Sequence, residues 1–393
     1  MYTETIKLGS VINDIAAGPF GSNLKVSCFV DRGFPIIDGA NLKGFKVTDN
    51  ITKFVTEEKA RSLHRSIASR NDVIVTISGT LGQIAYIPYD SKYTEYLCSQ
   101  RQFRVSFNTD RVYVPYLVYY FHSREGQYKI LSFANQTGVP ALSQPLKNFK
   151  NIEINLPDIG TQKKIASVLL SIDDKIELNT AINENLEQQA QAIYTKMFID
   201  NADESWKTGI LSDIAVITMG QSPKGDTFNE MGKGAVFYQG RTDFGFRFPT
   251  RRLYTTEPKR IALCGDVLMS VRAPVGDLNV AYEECCIGRG LAAIRSKDKH
   301  QSYVLYTLFT LKNQLDIYNG EGTVFGSINK DTLNSMGITI PPIELMDRFE
   351  SIANSIDKSI CNNYEEICRL QAIRDSLLPK LMNGEIDVSQ VKI

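Results

Sequence analysis

Ser171-Ile172-Asp173-Asp174-Lys175-Ile176 returns 184 residues later as Ser355-Ile356-Asp357-Lys358-Ser359-Ile360. At the same shift Ile165 falls on Phe349, Leu186 on Leu370, Tyr194 on Leu378 and Lys196 on Lys380. Upstream, Asn71-Asp72-Val73-Ile74-Val75-Thr76-Ile77 matches Gly265-Asp266-Val267-Leu268-Met269-Ser270-Val271, each run followed by a glycine, Gly82 and Gly276. Further back, Gly39-Ala40-Asn41-Leu42-Lys43-Gly44-Phe45-Lys46 lines up with Gly240-Arg241-Thr242-Asp243-Phe244-Gly245-Phe246-Arg247. A period this long marks a duplicated domain-plus-helix unit rather than a solenoid repeat. The copies share their ends and scaffold strands and diverge between them, the pattern of one architecture aimed at two targets.

The repeated hexapeptide lies in a long helical pattern. With Ile165 at position a of a heptad, Ile172, Asn179, Leu186 and Ile193 follow at a, Leu169, Ile176, Ala190 and Met197 at e, and Val168 and Ile182 at d. The second copy gives Phe349, Ile356, Asn363, Leu370 and Leu377 at a, with Ala353, Ile360, Ile367 and Leu381 at e. Heptads without internal glycine, and without proline before Pro379, predict coiled-coil helices. Each would run about 35–40 residues, roughly 50–60 Å. A compact domain joins them, so antiparallel packing is simplest. Asn179 and Asn363, each near its helix midpoint, should then meet, or nearly so, a polar layer that costs stability but fixes register.

Ahead of each helix the pattern is mixed α/β. Val73 to Ile77 and Gln102 to Phe107 read as strands, Val114 to Leu131 as an amphipathic helix behind Pro115, and Ile152 to Leu156 as a closing strand ended by Pro157. The second copy repeats this order with strands at 267–271 and 291–295, a helix at 302–317, a loop at 319–327 and a strand at 338–340. At 393 residues the chain is long enough for two or three cores. No run approaches the ~18 apolar residues of a membrane span, and the first residues lack the basic start and apolar core of a secretory signal. Seven cysteines without CxxC spacing, and only three histidines, point to reduced thiols in a cytoplasmic protein.

Net charge is zero, but its distribution is uneven. Residues 1–155 carry 18 Lys+Arg against 13 Asp+Glu, net +5, and residues 205–340 carry 16 against 13, net +3. The helical segments 156–204 and 341–393 carry 4 against 9 and 6 against 9, net −5 and −3. Basic globular parts separated by acidic helices suit a protein whose domains meet a polyanion.

Several features together resemble the specificity subunit of type I restriction–modification enzymes. They are the two unlike domains, each closed by Leu/Ile-Pro, the long helices that follow, and the ending Ser376-Leu377-Leu378-Pro379-Lys380-Leu381-Met382-Asn383-Gly384-Glu385-Ile386. Gly18-Pro19-Phe20-Gly21-Ser22-Asn23-Leu24 also looks like a motif near the start of such domains. Lys150-Asn151-Ile152-Glu153 and Asp158-Ile159-Gly160 depart from the usual proline-rich closing stretch, which bears on helix entry. The resemblance covers the whole chain. It implies two similar globular α/β target-recognition domains, at 1–157 and 203–342, separated by two long antiparallel coiled-coil helices, at 158–202 and within 343–393, with pseudo-two-fold symmetry. It further implies a non-catalytic subunit that reads a split site in double-stranded DNA, carries two methyltransferase subunits and is joined by a motor-nuclease subunit. S-adenosylmethionine, ATP and Mg²⁺ would belong to those partners, and no cofactor to this chain. Domains that differ should read different half-sites. Centres about one turn (~10 bp) apart, each reading about 3–5 bp, leave a spacer of about 5–8 bp.

Catalytic patterns are poor. Pro157-Asp158 followed by Asp173-Asp174-Lys175 imitates a PD…(D/E)xK nuclease, but its second element lies inside the heptad repeat. Pro341-Pro342 lacks the Asn/Asp and aromatic neighbours of a base-flipping methyltransferase motif, and there is no GxxxxGK[ST] loop. A nuclease–methyltransferase in one chain would need all of these. The other rival, a scaffold that binds only protein, leaves the basic loops unexplained.

For DNA contact, Tyr238 to Arg260 holds six basic residues in 23 positions, with Gln239, Arg241, Arg247, Arg251 and Arg252 as candidates. Arginine binds guanine or phosphate, and glutamine suits adenine. The counterpart is Asn41, Lys43 and Lys46 with Arg61, His64 and Arg65. The turns Ser78-Gly79-Thr80 and Arg272-Ala273-Pro274, the matching Arg101 and Arg289, and the loops holding Thr137 and Thr323 complete the candidate set, against the plainer reading of tight turns. His122 and His300 read as surface residues without partners.

Overall fold

Alternating and β-branched runs form the sheets. In the first copy Val73–Thr76 and Gln102–Phe107 pair antiparallel at the centre of a four-stranded sheet, flanked by Ile12–Ala17 and Ile84–Tyr86. A five-stranded sheet adjoins it, ordered Phe29–Val30, Phe54–Val55, Phe34–Ile37, Glu95–Cys98 and Ile67–Ser69, with one parallel pair, Phe34–Ile37 on Glu95–Cys98. The second copy repeats both sheets strand for strand. Ala215–Met219, Leu291–Ser296, Val267–Ser270 and Leu278–Val280 form the four-stranded sheet. Phe228–Asn229, Leu253–Thr255, Ala235–Tyr238, Cys285–Ile287 and Ile261–Ala262 form the five-stranded one, again with one parallel pair. The computed structural model describes residues 3–135, 139–320 and 326–391. It comprises two units, Met1–Leu178 with Glu366–Ile393, and Asn179–Glu365.

Each copy is closed by its ends. Thr3–Lys7 pairs with Glu153–Pro157 in register Thr3 to Pro157, and Lys207–Ile210 pairs with Gly337–Ile340. These ribbons deliver the chain to Ile159–Thr195 and Ile343–Met382, helices of 37 and 40 residues. Asp158 starts the first: its carboxylate accepts from the Thr161 amide at 3.0 Å and the Thr161 hydroxyl at 2.6 Å, as an N-terminal cap does. A π-helical turn, Lys196–Asp200, ends it.

The expected single helix from Val114 to Leu131 is two, Val114–His122 and Arg124–Leu131. Ser123 is extended and caps the second, its hydroxyl accepting from the Gly126 amide at 3.2 Å. A side chain on Gly126 would stand 2.2 Å from the Tyr120 carbonyl, so the chain must turn there with a glycine. The 302–317 helix is likewise divided, into Gln301–Thr310, Lys312–Asp316 and a 3₁₀ turn.

In the first unit Ile165, Ala166 and Leu169 share a core with Leu378 and Leu381, and in the second Ala190, Tyr194 and Phe198 share one with Phe349 and Ala353. Rising numbers on one helix meet falling numbers on the other, so the pairing is antiparallel. The heptad phase differs from expectation on the first helix. Asp173 and Asn183 are buried, whereas Ile172, Leu186 and Ile193 are only half-buried and Ile182 is exposed. Apolar counting misses this because the seam's polar groups are satisfied inside it. Asp173 accepts from Arg374 at 2.9 Å and from the Tyr119 hydroxyl, and Asn183 bonds Asn363 at 2.8 Å. Asn363 thus meets Asn183, one turn from Asn179. Asn179 is itself buried.

Candidate nucleic-acid interface

The pairing of Gln102 with Thr76 puts the turns on either side of that register at one edge of the first four-stranded sheet. Ser78-Gly79-Thr80 leaves the central strand there, and Ser99-Gln100-Arg101 enters its neighbour. Gly79 has φ +96°, a conformation that favours glycine, and its amide donates to the Pro140 carbonyl at 3.0 Å. Arg101 stands over this turn, its Nη1 3.8 Å from where a Cβ on Gly79 would lie. The parallel pairing of Ile37 with Cys98 brings Asp38-Gly39-Ala40 alongside. These turns, with Leu24 and Val26, line a cleft of about 550 Å³. Phe20, 82 % exposed, and Val26, 81 % exposed, belong to the loop that leads into it. From the sequence, Phe20 was named only within a family-like motif, not as a contact, and Val26 was not reached, although an apolar residue among glycines and serines was the available signal for the first.

The second unit has the corresponding edge, fixed by Ser270 opposite Leu291. Arg272 leaves one strand and Arg289 precedes the other; both are exposed. The Arg289 amide donates to the Ser222 hydroxyl at 3.2 Å. Gly220 packs so closely on Gly288 that a Cβ would lie 2.1 Å from its carbonyl oxygen, as Gly18 packs on Ser99 at 1.9 Å. Among the described residues, the guanidinium groups of Arg65, Arg101, Arg272 and Arg289 have no hydrogen bond or ion pair, leaving their donors for an external acceptor. Lys43 and Gln239 are exposed as well.

Other candidates are occupied. Asn41 is 4 % exposed. Its Oδ1 accepts from the Asp38 amide at 3.0 Å, and its Nδ2 donates to the carbonyls of Asn50 at 3.2 Å and Thr48 at 3.4 Å. That corrects its reading as a base-contacting amide: both ends are spent inside a turn. Lys46 binds Asp174 at 2.7 Å and Glu177 at 2.9 Å on the first long helix. Burial works against its charge, but these carboxylates outweigh it and hold Lys46 above the ordinary lysine value. Arg247 is corrected most sharply, being 4 % exposed. Its Nη2 faces the Tyr306 hydroxyl at 3.0 Å, Glu187 at 3.2 Å and Asp357 at 3.4 Å. Burial raises the pKa of both carboxylates, and the cationic Arg247 opposes that rise.

Arg61 lies between Glu57 at 2.8 Å and Glu95 at 2.7 Å. Arg241 pairs with Asp277, Arg251 with Glu283, and Arg252 with Asp243 at 3.0 Å. All four arginines keep half or more of their side chain exposed, so DNA phosphates could compete for them. Thr137 and Thr323 lie outside the described residues. The histidines have partners, contrary to expectation. His122 sits 2.8 Å from the Ile84 carbonyl, and buried His300 is 2.8 Å from Asp347. The nuclease-like residues have structural partners: Asp158 caps a helix, Asp173 holds Arg374, Asp174 holds Lys46, and Lys175 faces Glu366 at 3.5 Å. Among the described residues no group of three His, Cys, Asp or Glu is placed to hold a metal ion. Their seven cysteines are free, and no helix is long and apolar enough to cross a membrane.

The sequence profile of the type I restriction modification DNA specificity domain matches twice, over residues 26–188 and 203–360. A chain of Methanocaldococcus jannaschii provisionally named type I restriction enzyme MjaX specificity subunit is 32 % identical over 292 residues, covering 70 % of this chain and 68 % of its own. The MjaIX specificity subunit of the same organism is 24 % identical over 371 residues, covering 86 % and 82 %. The crystal structure of a type I restriction–modification S subunit from M. genitalium shares the fold, with TM-score 0.58 at 17 % identity over 96 % of both chains.

Proposed function

From a chain that belongs to the type I restriction modification DNA specificity family, we propose a specificity subunit that reads an asymmetric, bipartite site in double-stranded DNA, one half per domain. The observation that carries this reading is the duplicated sheet edge. The same strand pairing presents the same two turns in each copy, yet Ser78-Gly79-Thr80 and Gln100-Arg101 in one become Arg272-Ala273-Pro274 and Gly288-Arg289 in the other. Equal scaffolds with unequal donors read unequal sequences. Unpaired arginines supply the bidentate contact that distinguishes guanine in the major groove, worth about 1–3 kcal/mol each. Exposed ion-paired arginines exchange a carboxylate for a phosphate and add affinity that falls with salt.

In this reading the chain is not itself an enzyme. Its long helices carry two methyltransferase subunits, and a motor-nuclease subunit joins them. S-adenosylmethionine, ATP and Mg²⁺ reside on those partners, and the assembly works in the cytoplasm. The test is to co-express the chain with its methyltransferase and map methylated bases across the host genome. A two-part motif with a fixed unread gap is expected. A continuous motif, or methylation unchanged by omitting this chain, would overturn the reading.

A further inference from the structure

Lys46 and Arg247 lie one register position apart in the two copies, since the Val280 amide donates to Arg247 as the Tyr86 amide donates to Phe45, but both reach from a sheet edge to the long helices. The main chain at Lys46 is bridged to Tyr86 on the edge strand Ile84–Tyr86, with the Val47 amide donating to the Tyr86 carbonyl at 2.8 Å. Arg247 is anchored on the matching strand Leu278–Val280, its carbonyl accepting from the Val280 amide at 2.8 Å as the Phe45 carbonyl accepts from the Tyr86 amide at 3.1 Å. From these anchors the side chains run to helix carboxylates, Asp174 and Glu177 in one copy and Glu187 and Asp357 in the other. Aromatic neighbours brace both. Phe45 lies 4.4 Å from the rings of Tyr119 and His122 and 5.1 Å beneath Arg374, which is itself paired with Asp173. Phe248 packs on Tyr364 of the second helix at 4.8 Å and on Tyr282 at 5.6 Å, and the Tyr282 hydroxyl bonds Glu365 at 2.9 Å.

We propose that Lys46 and Arg247 are positioning residues: each is a strut that sets the angle at which its recognition domain is carried on the helix pair, and so the spacer the protein accepts. This rests on the bipartite reading above. The Arg247 pairs are largely buried and lose to desolvation much of what the attraction returns. The Lys46 carboxylates are exposed, and their pairs are weakened by solvent. The net contribution of each pair to stability is therefore modest. Its directional bonds nonetheless permit one geometry, whereas an apolar contact at the same place would slide. The strut's anchor strand is hydrogen-bonded to the central strand whose end carries the candidate DNA turn, Val73–Thr76 in one copy and Val267–Ser270 in the other. A change of angle at the helix is therefore delivered to the reading edge without altering the groups that read.

The test uses the chain assembled with its methyltransferase and substrates whose spacer is native, one base pair shorter or one longer. Lys46→Met and Arg247→Met keep the stems and remove the charge, while Asp174→Asn/Glu177→Gln removes the partners and leaves Lys46 in place. Methylation of native over altered spacers is expected to drop by about fivefold in each, the scale of a coupled pair, with base preference in both half-sites kept. Lys46→Arg should restore the ratio. An unchanged spacer ratio in assembled variants overturns the proposal, as does a changed base preference at one position, which would return Lys46 or Arg247 to DNA contact. Should Arg247→Met fail to assemble, the Lys46 and carboxylate variants decide alone. A wild-type complex that methylates no two-part site overturns the functional reading itself, a result distinct from a wild type with strict spacing and variants that share it.

Discussion

Asn363 donates from its Nδ2 to the Oδ1 of Asn183 at 2.8 Å, and the Asn183 amide donates in turn to the Ile360 carbonyl at 3.3 Å. Both ends of the Asn183 side-chain amide are thus bonded to the second helix. Asn363→Leu leaves the Asn183 oxygen without its donor and should cost about 1–3 kcal/mol. Asn183→Leu/Asn363→Leu removes both needs and should recover most of that loss, while weakening discrimination between spacers. A double-mutant cycle from denaturant melts measures the coupling. Additive losses would show that the bond does not tie these helices.

This layer also shows where sequence reading ended. The 184-residue repeat, the closing strands at 153–157 and 337–340 and the helices behind them were legible because each rests on local pattern. Which asparagine faces Asn363 was not. End alignment suggested Asn179, but side chains such as Tyr194 against Phe349, 5.4 Å apart, set the stagger. The basic loops failed similarly. Lys46 and Arg247 look like their neighbours in a run of cations, and only tertiary structure shows that they face helix carboxylates. Arg101 and Arg289, one and two residues before matching scaffold strands, could be picked out because that place is itself part of the repeat, but what they contact is left to the binding test.

Arg101→Ala and Arg289→Ala should separate reading from anchoring. An arginine that reads a base loses about 1–3 kcal/mol and relaxes a single position of the site. One that holds phosphate weakens every sequence alike and lowers the salt slope by about one unit. Binding titrations at several salt concentrations, on the native site and its single-base variants, distinguish the two. No change in either measure would remove that turn from the interface.

Stability should depend on pH through His122. Burial against Phe45 at the end of the Val114–His122 helix lowers its pKa from the ordinary 6.5, and Arg374 lowers it further, against the bond to the Ile84 carbonyl and the charge of Asp173. Above 6.5 both folded and unfolded chains hold the ring neutral, so its contribution is complete. As pH falls below 6.5 the unfolded chain takes up the proton first, and stability declines until the folded pKa is passed. Carboxylates titrate at the lower end of this range, so the informative quantity is the difference between wild type and His122→Gln. The wild type should lose more stability between pH 7 and 5.5 in thermal melts. Parallel curves would contradict the assignment.

The domains should exchange as modules, and the structure indicates where to cut. Thr3–Lys7 and Glu153–Pro157 form one ribbon that delivers the chain to the first long helix. A cut inside either strand would mismatch its register, whereas residues 8–152 lie between the two. Replacing 8–152 with the matching region of a relative, while keeping that ribbon and both helices, should change one half-site and leave the other intact. The spacer is the sharper readout. If the incoming domain carries a basic residue at position 46, its strut to Asp174 and Glu177 re-forms and the gap stays the same. If it carries a neutral residue there, the half-site should still be read, but the gap should broaden by a base pair. Motif mapping of both hybrids tests each part, and a change in both half-sites would show that the domains do not read independently.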